Sequence, residues 1–154
     1  MWLPEMQSER EIGEAIAAQI KIAAPLAVVW RRDMLGQNAA TDWNAIMRSP
    51  DDENRIHGWM VKRVGMPTTE EMSNHISAEP RYQILGSHYH YIGTDDDNSY
   101  DKFNAEINAI VTQFGLNDPS LPAHGQVQFQ LIQMFNSGAE LIHFAAGELV
   151  LYIC

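Results

Sequence analysis

The chain has one cysteine, Cys154, at its last position. A single thiol allows neither an internal disulfide nor a multi-cysteine zinc site, so a reducing compartment is the simplest setting. Basic residues are scarce: 10 Lys and Arg against 20 Asp and Glu give a formal charge of -10. The only basic doublets are Arg31-Arg32 and Lys62-Arg63. That scarcity argues against clamping a nucleic-acid backbone, which takes clustered cations. Phosphate-cradling loops are missing too, because Gly36, Gly58, Gly65, Gly86 and Gly93 stand alone and no glycine-rich run precedes a lysine. Without a Gly-x-Ser-x-Gly elbow, nucleophilic catalysis has no support, and no catalytic residue is assigned. The longest apolar stretch, 12–30, is broken by Glu14, Lys21 and Pro25 and falls short of the ~20 clean residues of a membrane span. The start MWLPEMQSER lacks the basic head and apolar core of a secretory signal, so the expected site of assembly is the cytoplasm.

What is present fits one globular domain. A hydrophobic share of 45% over 154 residues is enough to form a core without staples. The clearest segment is 98–115, where Tyr100, Phe103, Ile107, Ile110, Val111 and Phe114 recur at steps of three and four and predict an amphipathic helix. Asn98 or Ser99 can cap its start, with Asp95, Asp96, Asp97 and Asp101 complementing the dipole. Gly115, with Leu116 folding back and Pro119 beyond, predicts a left-handed stop. The helix is flanked by two strand-like segments, RYQILGSHYHYIG and QVQFQLIQMF. In the second, Val127, Phe129, Leu131, Gln133 and Phe135 share one face, leaving Gln126, Gln128 and Gln130 opposite for water or a partner.

Upstream, Ser8-Glu9-Arg10-Glu11 has the spacing of a capping box, and Ile12, Ile16 and Ile20, beside Ala15 and Ala23, predict a helix that Pro25 ends. LAVVW reads as a strand over 26–31. Residues 36–54 read as a long loop in which Trp43, Ile46 and Met47 form at most one buried helical turn. RIHGWMVKRVGM reads as a strand with Trp59, Val61 and His57 on one side and Ile56, Met60 and Val64 on the other. It should pair with 81–93 as an antiparallel hairpin whose extended tip is the polar connection 66–80. AELIHFAAGELVLYIC closes the chain as one strand, or as two split near Gly147. The order predicts an α+β fold: a single mixed, mostly antiparallel sheet with two helices packed on it and long inter-strand loops.

Two clusters bear on metal chemistry. His88 and His90, two apart on a strand, would project from one face about 7 Å apart at Cβ, within reach of one ion. Further ligands would have to come from His57, His75, His143 or the acids 95–97, none at a fixed spacing, and the pair reads first as part of a polar, aromatic outer face. Asp95, Asp97, Ser99, Asp101 and Glu106 match five positions of a calcium loop, but Tyr100 stands where the turn needs glycine. No cofactor is expected from either. The loops and the glutamine face suit partner contacts, since Trp43, Trp59, Met66 and Met72 in or beside the loops are types enriched at interfaces. The residues picked for contacts are Trp43, Asp51, Asp52, Glu70 and Glu71; the carboxylates read equally as solvated surface.

The order of elements resembles the tail terminator, or tail-completion, proteins of long-tailed bacteriophages and the related neck proteins. The likeness runs from EIGEAIAAQI and LAVVW through the long-looped hairpin and DKFNAEINAIVTQFG to GELVLYIC. It implies a non-catalytic virion protein that forms a hexameric ring, stops growth of the tail tube, and joins it to the head-tail connector. Genomic DNA would pass the lumen without specific binding, because carboxylates repel phosphate. Two other readings stand beside it: a small metal-dependent enzyme using His88 and His90, and an α+β adaptor domain of unknown ligand.

Overall fold

The computed structural model describes residues 9–32, 43–65, 81–93, 97–116, 125–137 and 140–151. Helix α1 (Glu9–Ala23) leads to strand β1 (Val28–Arg31), a short helix α2 (Trp43–Ile46), strand β2 (Arg48–Ser49) and a 3-10 turn (Pro50–Asp52). β3 (Arg55–Gly65), β4 (Arg81–Tyr89), helix α3 (Ser99–Gly115), β5 (Gly125–Ser137) and β6 (Glu140–Leu151) follow. The strands form one mixed six-stranded sheet of order β1-β3-β4-β6-β5, with β2 paired to β3. β1 runs parallel to β3, and the other pairings are antiparallel. This is the expected α+β architecture, including the long-looped hairpin of β3 and β4. No helix of the described residues is long and apolar enough to cross a membrane.

Both long helices lie on one face of the sheet. Ile16 and Ile20 of α1 and Phe103, Ile107, Ile110 and Phe114 of α3 are buried against Trp59, Val61, Tyr82, Ile84, Ala145 and Leu149. The opposite face carries a smaller cluster of Met47, Ile56, Met60 and Ile142, flanked by Trp30 and Trp43. β3 is therefore covered on both faces, as its two apolar sides predict. Trp59 lies against Phe103 at 5.6 Å and edge-on to Phe129 at 5.8 Å. Gly86 opposite it on β4 leaves room for the indole, which a Cβ would strike.

Several local expectations are corrected. The 36–54 segment is less irregular than its composition suggests: α2, β2 and the 3-10 turn occupy 43–52, and β2 is folded onto β3 through Glu53 and Asn54, both with positive φ (55° and 58°). Asn98 does cap α3, its Oδ1 accepting from Asp101 N–H at 2.8 Å. Tyr100 and Val111, however, face outward, because the sheet covers only the stripe through Phe103 and Ile110. Gly115 is the last helical residue, and extended backbone at Leu116, not a left-handed glycine, ends the helix. β6 runs unbroken through Gly147, whose missing side chain makes space for the Phe129 ring.

The largest departure is in β5. Its pairing with β6 shifts between Phe129 and Leu131, a bulge that carries one extra residue. Before it, Val127 and Phe129 face the helices; after it, Ile132 and Met134 take that side, opposite Ala145 and His143. The predicted alternation thus inverts at Gln130. Gln126, Gln128 and Gln130 are exposed, as expected, and beyond the bulge Leu131, Ile132 and Met134 are 42%, 50% and 51% exposed, so the distal half of β5 presents apolar surface. The capping serine Ser8 and residues 66–80 lie outside the described residues.

Candidate functional site

Strand register builds the site. His57 of β3 pairs with His88 of β4, and His88 pairs with His143 of β6, so three imidazoles form a transverse row on the helix-covered face. Ring centroids are 4.5 Å apart for His57 and His88 and 6.5 Å for His88 and His143. α3 crosses above this row with Ser99, Phe103 and Glu106, spaced at steps of four and three and hence on one helical face.

His57 is held from both sides. Its Nδ1 lies 2.9 Å from Asp52 Oδ2, and its Nε2 lies 2.7 Å from Glu106 Oε2. The second Glu106 oxygen accepts from Trp59 Nε1–H at 2.5 Å. Asp52 Oδ1 takes an Arg55 guanidinium bond at 2.7 Å, and that guanidinium lies 4.0 Å above the Tyr89 ring. The side chains of Asp52 and Glu106 are only 11% and 12% exposed. A neutral imidazole offers one N–H, so two ionised carboxylates on its two nitrogens require an added cation between them. In metal-free protein that cation is a proton.

His88 is set differently. Its Nδ1 is 2.7 Å from the Tyr89 carbonyl, which can only accept, so the proton sits on Nδ1 and the lone pair on Nε2. Further along the row, His143 Nε2 is 2.8 Å from Ser99 Oγ. That hydroxyl donates to the Tyr91 carbonyl at 3.1 Å and accepts from Tyr91 N–H at 2.9 Å, so His143 donates to it from Nε2. Ser99 is fully buried with its proton committed, which is not the arrangement of a nucleophile.

Protonation follows from these contacts. Burial alone would lower the His57 pKa, but the bond and charge of Glu106, then those of Asp52, raise it above 6.5. For His88, burial and then the charge on His57 push it down to about 4. Burial, then His90, lowers His143. Burial would raise Asp52, yet Arg55 and His57 hold it below its ordinary value. A raised histidine stabilises fully below its unfolded value near 6.5, and that contribution is lost as pH rises through the folded value. A depressed one acts in reverse, so the His88 contribution, of order 3 kcal/mol, is lost as pH falls from 6.5 toward 4. With EDTA present, urea-denaturation stability should peak around pH 6.5 and fall on both sides. A steady rise from pH 5 to 9 would contradict these assignments.

The residues singled out from sequence are distributed unevenly. His88 joins the cluster, but β4 ends at Tyr89, and His90 turns to His143, with ring centroids 5.4 Å apart. Both rings thus lie near His143, on one side of the sheet, but among the described residues the group placed to hold an ion is Asp52, His57 and His88, without His90. Trp43 is half-buried, bonding Ser87 Oγ at 3.1 Å and lying 5.9 Å from the Phe144 ring. Asp51 is exposed and 3.5 Å from Lys21, whereas Asp52 is part of the cluster. Glu70, Glu71, His75, Asp95 and Asp96 lie outside the described residues. The calcium-loop spacing is not used as such, since Ser99 and Glu106 point inward to His143 and His57.

The basic doublets also meet. Arg31, Arg32, Lys62 and Arg63, with Arg10, line one groove between α1, β1 and β3. Half of the chain's ten Lys and Arg are thus gathered at one edge, a cluster that the linear sequence conceals. No protein-family model and no curated protein matches the chain.

Proposed function

We propose that the protein is a structural ring component of a phage tail or neck, a terminator that closes the tail tube and joins it to the head-tail connector. In this reading it carries no catalytic residues, belongs to the virion, and lets DNA pass without binding it. The observation that carries the proposal is β5. It spans 13 residues and has a described partner strand on one side only, with Leu131, Ile132 and Met134 exposed along it. A long, apolar edge is a liability in an isolated monomer and useful where copies associate. At the opposite edge of the sheet the groove lined by Arg10, Arg31, Arg32, Lys62 and Arg63, with Arg31 paired to Glu14 at 3.6 Å, gives a surface unlike the apolar one.

Light scattering coupled to size exclusion tests the reading. The expected mass is about six chains, alone or when tail-tube protein is supplied, with rings visible by negative-stain microscopy. Ile132→Glu combined with Met134→Glu should abolish assembly while leaving the circular dichroism spectrum unchanged, because both side chains are already half exposed. A wild-type chain that stays a monomer or dimer in the presence of tube protein would sink the proposal.

A further inference from the structure

We propose that Asp52, His57 and His88 form a binding site for a divalent transition-metal ion, best matched by zinc, with Glu106 and the Tyr89 carbonyl orienting the two imidazoles. The site is independent of the ring assembly proposed above. One ligand atom from each of the three residues lies within 4.8 Å of the others. Three atoms no more than 4.8 Å apart have a point within about 2.8 Å of all of them, and zinc bonds to nitrogen and oxygen are about 2.1 Å. Side-chain shifts of under about 1 Å therefore close the site, with water free to take a fourth position.

Hydrogen bonding selects the metal-binding tautomers once the ion displaces the proton between His57 and Asp52. Glu106 accepts from His57 Nε2–H and directs the Nδ1 lone pair toward Asp52; the Tyr89 carbonyl accepts from His88 Nδ1–H and leaves Nε2 as the donor atom for a metal. A carboxylate or a carbonyl on the far nitrogen of each histidine is the usual outer support of a metal-bound imidazole. Arg55 occupies only Oδ1 of Asp52, leaving Oδ2 on the side of His57. The contact between Asp52 Oδ2 and His57 Nδ1 needs a positive charge between two acceptors, and an ion supplies one while also engaging His88. Two imidazoles and one carboxylate favour zinc over calcium or magnesium, which take oxygen shells. The ligands come from the 3-10 turn, β3 and β4, so the ion would fasten the turn to the hairpin.

The test uses the full chain, stripped with EDTA, desalted and titrated with Co2+ and then Zn2+. One ion per chain, visible Co2+ bands of tetrahedral intensity and a rise in melting temperature with Zn2+ are expected. Glu106→Gln should weaken binding about 10–100-fold by removing the outer carboxylate. His88→Gln should lose the bands, and His90→Gln should keep them. Imidazole nitrogen NMR of the wild-type protein decides the matter even where a variant misfolds. Zn2+ should shift His57 Nδ1 and His88 Nε2, leaving His90 and His143 in place. Failure to retain stoichiometric ion, bands that survive His88→Gln, or shifts confined to His90 and His143 would overturn the proposal.

Discussion

Glu106→Ala should lower the unfolding free energy by about 3–5 kcal/mol, the cost typical of removing one partner from a buried charged pair. The loss has two sources. His57 would keep Asp52 on one nitrogen and have no carboxylate on the other, and the buried Trp59 N–H would lose its acceptor. Glu106→Gln should cost less, about 1–3 kcal/mol, because its amide retains an oxygen that either donor can use. Urea denaturation with EDTA present at pH 7 measures both. A loss below about 1 kcal/mol for the alanine variant would show that the network adds nothing net to stability.

Trp59→Ala should cost about 3–5 kcal/mol through the cavity it leaves beneath Phe103 and Phe129. More telling is its coupling to Gly86. A methyl group at 86 meets the indole ring, so Gly86→Ala alone should destabilise by about 1–3 kcal/mol through overpacking. In the Trp59→Ala background the same change enters vacated space and should be neutral or slightly stabilising. Equal costs of Gly86→Ala in both backgrounds would show that backbone conformation, not the indole, demands glycine there.

These two positions illustrate what the sequence could and could not disclose. Trp59 could be placed on one side of β3 with Val61 and His57, but both sides of that strand are apolar and tryptophan beside a loop suits an interface equally, so its burial was not legible; Ile12, Ile16 and Ile20 did mark the buried side of α1. The stripe of α3 was overdrawn at Tyr100 and Val111, since periodicity marks which side is apolar and not how wide the covering sheet is. The bulge at Gln130 left no local signature, and one extra residue reverses every later side chain. His88 and His57 could each be named as metal-capable, yet their adjacency depends on hairpin register. A two-residue turn would have fixed that register; the long connection at 66–80 does not. Asp52 and Glu106 were accordingly assigned elsewhere, the first to a surface and the second to a calcium loop. Both are drawn to His57 by folding, across 5 and 49 positions of sequence.

The edge of β5 that has no partner strand among the described residues also bears on the symmetry of the proposed ring. Two copies that paired β5 with β5 would present the same surface to each other, an isologous contact that is satisfied after one partner and closes as a two-fold dimer. A ring of more members needs a heterologous contact, in which one surface meets a different one and the step repeats by rotation. The sheet order β1-β3-β4-β6-β5 supplies that difference, with the apolar strand at one edge and the arginine-lined groove beside β1 at the other. In the proposed ring each copy would thus have a distinct head and tail, and the number of subunits would be set by the angle at which the two unlike edges meet.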